Sequence, residues 1–456
     1  MTSVNLPSLS EKSFWRYFNF TSLYFAEGIP MGMLFIGLPA WMAMNGNSPT
    51  QIGAFAFSCS VPWTFKFIVA PLMDRYTFLA MGRKRPWVIF AQTGLVASMI
   101  TMAFVPDPLH NLGLFNAAAF LVSAFGAMQD AATDGMAIDV VPDDQQARVN
   151  GFMAGARMIG SSMALALGSW LLNVYSFKVA MLVLGLLIGL VLLVPLFLRE
   201  QPGEKLLPWT SGRASSESDN MQVKSWLTIF RSLFSVFRLK NSLLVCLLLF
   251  VTQGAYNYFE TLLPLFTVKI SGWTNVQYSQ VFATADLVSG VGGMLIGGYL
   301  IERFQKKRMI NIYFLVIILS VGTLVFLKQQ WTNSSFINGF ILVYRWFNAF
   351  AKIGVFAIAM QCCSKKVSAS QFTFYMTIGA VGSMAGATLI GPVKENLSWE
   401  MTFILFTVLI GAAFIILQLL NLDQHMENLT EIKDNEARRQ TKILSSRQYE
   451  HFPESR

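Results

Sequence analysis

Apolar residues run through this chain in long unbroken blocks, and blocks of about twenty such as AMLVLGLLIGLVLLVPLFL and MTFILFTVLIGAAFIILQLL have the length of a helix that crosses a lipid bilayer. Along the whole chain the length rule yields about twelve spans. They fall at 14–44, 49–72, 86–105, 113–140, 148–173, 179–198, 240–270, 275–300, 309–327, 335–361, 369–393 and 399–421. All are predicted helices, because a segment in hydrocarbon must satisfy its own backbone polar groups. The first block opens near Phe14 without a short apolar core and a small-residue cleavage site, so it reads as a retained span and not a removed signal.

The polar intervals divide the chain. Between the sixth and seventh spans, REQPGEKLLPWTSGRASSESDNMQ is rich in Ser, Pro and Gly and predicts a joint without a packed core. Next, VKSWLTIFRSLFSVFR places Trp226, Phe230, Leu233 and Phe237 on one helical face and Lys224, Arg231 and Arg238 on another, the pattern of a helix lying on a membrane surface. Four regions result: a six-helix bundle over 1–198, a linker with an amphipathic helix over 199–239, a second bundle over 240–421, and a charged tail over 422–456. The bundles resemble each other. AEGIP aligns with TQGAY, PLMDRYTFLAMGRKRP with GYLIERFQKKRM, and ARVNGFMAGARMIGS with ASQFTFYMTIGAVGS. Such same-orientation halves resemble the parallel six-plus-six repeat of the major facilitator superfamily. The fold class is therefore an all-α integral membrane protein, with twelve transmembrane helices in two pseudo-symmetric bundles around a central cavity.

Composition fits this: 54% hydrophobic and 13% charged residues in 456 leave no room for a sizeable soluble domain. The formal charge of +9 does not imply nucleic acid as a partner, since the basic residues sit in short loops beside the spans. Arg75, Arg83, Lys84, Arg85, Arg148, Arg303, Lys306, Lys307, Lys365 and Lys366 lie on one side, against Lys178, Lys269, Lys328 and Lys394 on the other. By the positive-inside rule both termini are cytoplasmic. Cys59, Cys246, Cys362 and Cys363 fall within or beside spans, which argues against a disulfide framework or a metal site. His110, His425 and His451 lie in a loop and the tail, so histidine catalysis inside the membrane is not expected. No glycine-rich nucleotide loop ending in lysine is present, and no cofactor is expected.

An acid–arginine pair followed by a basic cluster recurs in both halves, as Asp74–Arg75 and Glu302–Arg303, and resembles the loop motif that holds the inner side of this superfamily shut. The resemblance implies gating roles for Asp74, Arg75, Arg83, Arg85, Glu302 and Arg303. FAEGIPMGMLFIGLPAWM, PWTFKFIVAPLMDRY, GRKRPW and GAMQDAATDGMAIDVVP together resemble the family of AmpG-type muropeptide permeases, certain siderophore importers and acetyl-coenzyme A transporters. One departure stands out, since muropeptide permeases of that family carry a small residue where this chain has Glu27.

Ionised groups at mid-membrane cost about 2.5–3.5 kcal/mol on insertion scales, so those that persist face a cavity, pair, or titrate. On a helix Asp134 lies about 40° from Asp130, whereas Asp139 lies about 180° away. Gln129, Asp130 and Asp134 thus form one polar stripe, and Asp139 points to the gate, within reach of Arg75 or Arg83. Arg345 and Lys352 share another face with Asn348 between them, and the repeat alignment sets Lys352 where the first half has Asp130. The expectation is an acidic stripe facing a basic one across the cavity, paired when it is empty. Substrate-binding candidates are Gln129, Asp130, Asp134, Arg157, Arg345, Asn348 and Lys352, with Tyr24 and Tyr256 able to stack on a ligand. Glu27 and Glu260, each near a helix-loosening proline, are the proton-coupling candidates, and Glu27 aligns with the neutral Gln253. Asp286 is assigned to the gate, and Lys66 to snorkelling or pairing near the inner surface.

These residues predict a monomeric secondary transporter in a bacterial inner membrane, importing a polar, partly anionic metabolite such as a muropeptide together with protons by alternating access. A siderophore or a nucleotide thioester is the alternative cargo. A membrane-embedded enzyme or a non-transporting sensor is the alternative class.

Overall fold

The computed structural model describes residues 7–223 and 225–432. Twelve long helices account for the twelve spans. The first half holds α1 (Ser13–Gly32), α2 (Pro49–Arg75), α3 (Arg85–Ala103), α4 (Leu112–Val140), α5 (Gln146–Val174) and α6 (Phe177–Phe197). The second holds α7 (Lys240–Lys269), α8 (Asn275–Gly292), α9 (Lys306–Phe326), α10 (Ser334–Gln361), α11 (Ser368–Thr388) and α12 (Trp399–Leu419). Eleven are apolar enough to cross a bilayer by composition alone. The exception is α5, which carries Arg148, Asn150 and Arg157 along its 29 residues. It is as long as the others, and its polar groups serve the contacts described below.

The repeat in sequence is a repeat in structure. In the first half α1 packs on α5 so closely that a Cβ on Gly160 would strike the Phe25 carbonyl, and in the second a Cβ on Gly382 would strike that of Phe250, between α7 and α11. Small residues let backbones touch where lipid gives helices no hydrophobic reason to associate. The second helix of each half starts alike, Ser48 accepting from the Gln51 N–H and Thr274 from the Gln277 N–H. Beyond Pro30, α1 passes through a π-turn at Met33–Gly37 and continues as Leu38–Met44. The proline removes one ladder hydrogen bond, and the wider turn re-spaces the helix beside Glu27.

Three sequence expectations change. The linker is fastened: the Lys205 N–H donates to the Ala80 carbonyl at 2.6 Å, and Leu9 donates to Arg199 at 2.8 Å. Its helix, Trp226–Phe237, buries Ile229, Ser232 and Val236 against the protein and turns Leu227, Phe230 and Phe234 outward, so the apolar face is not the one read from the sequence. Both sides of this helix are apolar, and the protein covers one of them, with Trp226 and Leu233 packed beside Ile229. Lys224 lies outside the described residues. The tail continues as a helix over 422–432, anchored by buried His425, whose Nε2 lies 3.0 Å from the Cys362 carbonyl oxygen. The rest of the tail, His451 included, lies outside the described residues.

Candidate substrate cavity and gate

Two clusters of charge occupy the middle of the bundle, one in each half. In the first, Asp130 on α4 is gripped by Lys66 of α2 and by Arg157 of α5, whose Nη2 is 3.0 Å from Asp130 and 3.0 Å from Glu27 of α1. The Arg157 guanidinium lies over the Tyr24 ring, 4.6 Å from its centroid. The Tyr24 hydroxyl donates to Asp134, which stands one helical turn from Asp130. Three carboxylates, Glu27, Asp130 and Asp134, therefore share two cations.

The second cluster balances. Glu260 of α7 accepts from Arg345 at 2.7 Å, lies 3.5 Å from Lys352, and receives the Asn348 amide at 3.4 Å. Arg345 also pairs with Asp286 of α8 and stacks on Phe282 at 4.2 Å, while Lys352 sits over Tyr256 at 5.3 Å. Two carboxylates meet two cations. Asp286, Arg345, Asn348 and Lys352 line a cavity of about 140 Å³, to which the other half contributes Asn150, Ala154 and Met158 of α5.

This geometry corrects the picture of an acidic stripe paired across the cavity with a basic one. Each half pairs its charges within itself: Asp130 holds Lys66 and Arg157, and Lys352 holds Glu260. Of the two roles expected of Lys66, snorkelling and pairing, the structure shows pairing, with Asp130 in the central cluster. Asp286 lies in the cavity with Arg345 and away from the gate, because α8 turns it toward α10. Gln129 faces α1, where its amide donates to the Leu23 carbonyl at 2.8 Å with the side chain fully buried. Tyr24 and Tyr256 spend their ring faces on cations and are almost completely buried.

The gate lies at the end of the molecule that carries the basic loops. Arg83 reaches across the halves, donating to Asp139 at 3.0 Å and to the carbonyls of Lys365 and Lys366. Asp74 accepts from the backbone N–H (2.8 Å) and hydroxyl (2.5 Å) of Ser370, in the first turn of α11, and pairs with Lys84. Glu302 repeats the device, accepting the Arg148 N–H at 2.7 Å in the first turn of α5 and pairing with its guanidinium at 2.8 Å. An acid at a helix N-terminus meets unpaired N–H groups and the positive end of the helix dipole. Between α5 and α8 the seam is glycine-lined: a Cβ on Gly155 would sit 2.7 Å from the Gly290 oxygen. The cross-half bonds gather at this end, so the structure is closed there.

Among the described residues, the contacts seen for the other three gate candidates do not reach the opposite half. Arg85 donates to the carbonyls of Pro195 (2.7 Å), Leu196 (2.9 Å), Lys205 (2.9 Å) and Leu206 (2.6 Å), fastening the linker and not the other half. Arg75 lies over the rings of Tyr76 and Trp226. Arg303 is exposed.

Sequence reasoning passed over two linker acids. Glu200 accepts the backbone N–H groups of Arg83 (2.6 Å), Lys84 (2.7 Å) and Arg85, so it positions the loop from which Arg83 extends. Glu204 accepts from the Gln201 N–H at 3.0 Å and the Ser218 hydroxyl at 3.0 Å. Burial, and then the neighbouring Glu200 charge, push the Glu204 carboxyl up to about 8. The signal was present as REQPGE following a predicted span. Its Pro and Gly pointed instead to a loose joint.

The Major Facilitator Superfamily model matches residues 20–387. The anhydromuropeptide permease of Escherichia coli K12 is 25% identical over 414 residues, covering 91% of this chain and 80% of that protein. Among solved structures, the E. coli fucose:proton symporter is similar with a TM-score of 0.66 at 15% identity, covering 89% of this chain and 98% of that one. The human organic anion transporter MFSD10 is similar with a TM-score of 0.63 at 13% identity and the same coverage. At these identities the two structures establish the fold.

Proposed function

The chain belongs to the major facilitator superfamily, and on that footing we propose that it is a monomeric, proton-coupled importer of a polar, partly anionic metabolite, working by alternating access with the basic end in the cytoplasm. A muropeptide-like solute is the leading substrate, supported by the likeness to the anhydromuropeptide permease across most of both chains. The observation that carries the reading is the pair of charge clusters at mid-membrane, with Arg157 and Lys352 each about one-third exposed between their carboxylate partners. Charges kept at that depth need a use that offsets their cost, and a cation with an exposed edge serves an anionic solute.

Alternating access follows from the gate. Asp74 and Glu302 hold the cytoplasmic side shut through helix N-termini of the opposite half, and Arg83 through the Lys365 and Lys366 carbonyls, so opening inward breaks a defined set of charge-assisted bonds. Substrate entering from the other side offsets that loss by drawing the halves together around itself. The residues proposed for cargo are Asp130, Asp134, Arg157, Arg345, Asn348, Lys352 and Asp286, and the proposed proton acceptor is Glu27.

The test is uptake of an anhydromuropeptide by proteoliposomes under an inward proton gradient. Accumulation above equilibrium that collapses with a protonophore supports the reading. Equal entry with and without the gradient contradicts coupling, and no entry contradicts the substrate.

A further inference from the structure

Arg157 is shared. A single nitrogen, Nη2, lies 3.0 Å from Glu27 Oε1 and 3.0 Å from Asp130 Oδ1. The two acids are not equally dependent on it. Asp130 has a second cation, Lys66, on its other oxygen. Glu27 is fully buried, and among the described residues Arg157 is its one ion-pair partner. The charged and titratable groups around Glu27 are Arg157 from α5, Asp130 and Asp134 from α4, Lys66 from α2, and Tyr24 on its own helix. Asp130 is also close enough to accept a hydrogen bond from a protonated Glu27.

The opposite half lacks this dependence. Its exposed cation, Lys352, shares Glu260 with Arg345, which remains 2.7 Å away if Lys352 is drawn off. Lending Lys352 to a ligand therefore leaves no carboxylate alone. Lending Arg157 leaves Glu27 ionised and unpaired in a dry site, a state costing several kcal/mol.

Resting on the import reading above, we infer that a carboxylate or phosphate of the substrate takes Arg157 from Glu27, and that Glu27 takes one proton in exchange. The substrate oxygens accept from the guanidinium as the Arg157–Glu27 pair breaks. A hydronium ion in the cavity water gives its proton to the Glu27 carboxylate, whose new O–H turns to Asp130. Release reverses each step: the anion leaves, Glu27 returns the proton to water, and the pair re-forms. Coupling is one proton per captured anion, set by the competition of two anions for one guanidinium.

The device can be tested without knowing the cargo, because removing the arginine charge imitates its capture. In unliganded protein in nanodiscs at pH 7, the difference spectrum of Arg157→Gln against the parent is expected to show one additional protonated-carboxyl infrared band, beyond the Glu204 signal common to both, and that of Arg157→Lys is expected to show none. The band is expected to vanish in Arg157→Gln combined with Glu27→Gln. No new band in folded Arg157→Gln, or a band that survives the second substitution, overturns the inference. The lysine variant keeps the charge and reports whether the position tolerates change. A second arm measures the thermal shift that inorganic phosphate and citrate give the parent and Arg157→Gln: a stabilisation of the parent that is lost in Arg157→Gln supports anion capture at Arg157, and one that is retained, or absent from the parent, overturns it. Failure of the parent to transport the anhydromuropeptide would remove the cargo assignment while leaving the infrared result to stand or fall alone.

Discussion

The two halves carry the same helices, and yet their central charges are arranged to opposite effect. In the first, three carboxylates share Lys66 and Arg157, and Glu27 is completely enclosed. In the second, Glu260 and Asp286 are matched by Arg345 and Lys352 and are roughly one-third exposed. A repeat doubles a scaffold without doubling its chemistry. The half with the surplus acid is suited to take up a proton, whereas the balanced half is suited to exchange one anion for another. Aromatic backing is common to both, Tyr24 beneath Arg157 and Tyr256 beneath Lys352, so the cations are placed alike even where their partners differ.

The largest expected effect comes from breaking the enclosed cluster. Asp130→Ala leaves Lys66 and Arg157 facing each other without their shared carboxylate and is expected to cost about 3–5 kcal/mol. Asp286→Ala, at a wetter site, is expected to cost about 1 kcal/mol. Thermal unfolding in detergent compares them, and equal losses would erase the distinction between the halves. Next comes the gate. Arg83→Ala removes charge-assisted bonds to the other half, each worth about 1.5–3 kcal/mol, and should shift the population toward the inward-open form about tenfold or more. Glu302→Ala should shift it less, and spin-label distances across the gated face read both.

A smaller effect belongs to Glu204. Its carboxyl is raised from 4.5 to about 8 in the fold, so the folded state binds the extra proton between those values. The linker clamp is therefore strongest below about pH 4.5, weakens as pH rises through that window, and levels off above about 8. Glu204→Gln should flatten this dependence, as followed by hydrogen exchange at the Arg83–Arg85 amides. Smallest is Phe230→Ser, on the outward face of the amphipathic helix, which should change stability by less than about 0.5 kcal/mol in the same thermal unfolding assay.

Much of the fold could be read from hydropathy, because bilayer thickness sets helix length and the backbone has few alternatives in lipid. Even α5, the most polar of the long helices, was legible as a span of the right length. Helical phase also separated Asp139 from Asp130 and Asp134, and the structure places Asp139 on Arg83 and the others in the central cluster. Pairing was not legible. Whether Asp130 meets Lys66, Arg157 or Lys352 depends on rotations between helices, and rotation leaves no mark in one-dimensional spacing. Asp286 was misplaced for the same reason: its small-residue face says that α8 packs closely, not what it packs against. Glu200 was missed because its partners are backbone N–H groups, which every sequence contains.

The most direct test sets Glu27→Gln beside Glu260→Gln and measures substrate-driven proton uptake in proteoliposomes. The account predicts that Glu27→Gln abolishes proton uptake while substrate exchange continues, and that Glu260→Gln weakens substrate affinity while proton uptake per substrate is kept. Proton uptake that survives Glu27→Gln and disappears with Glu260→Gln would place coupling in the balanced half and contradict it.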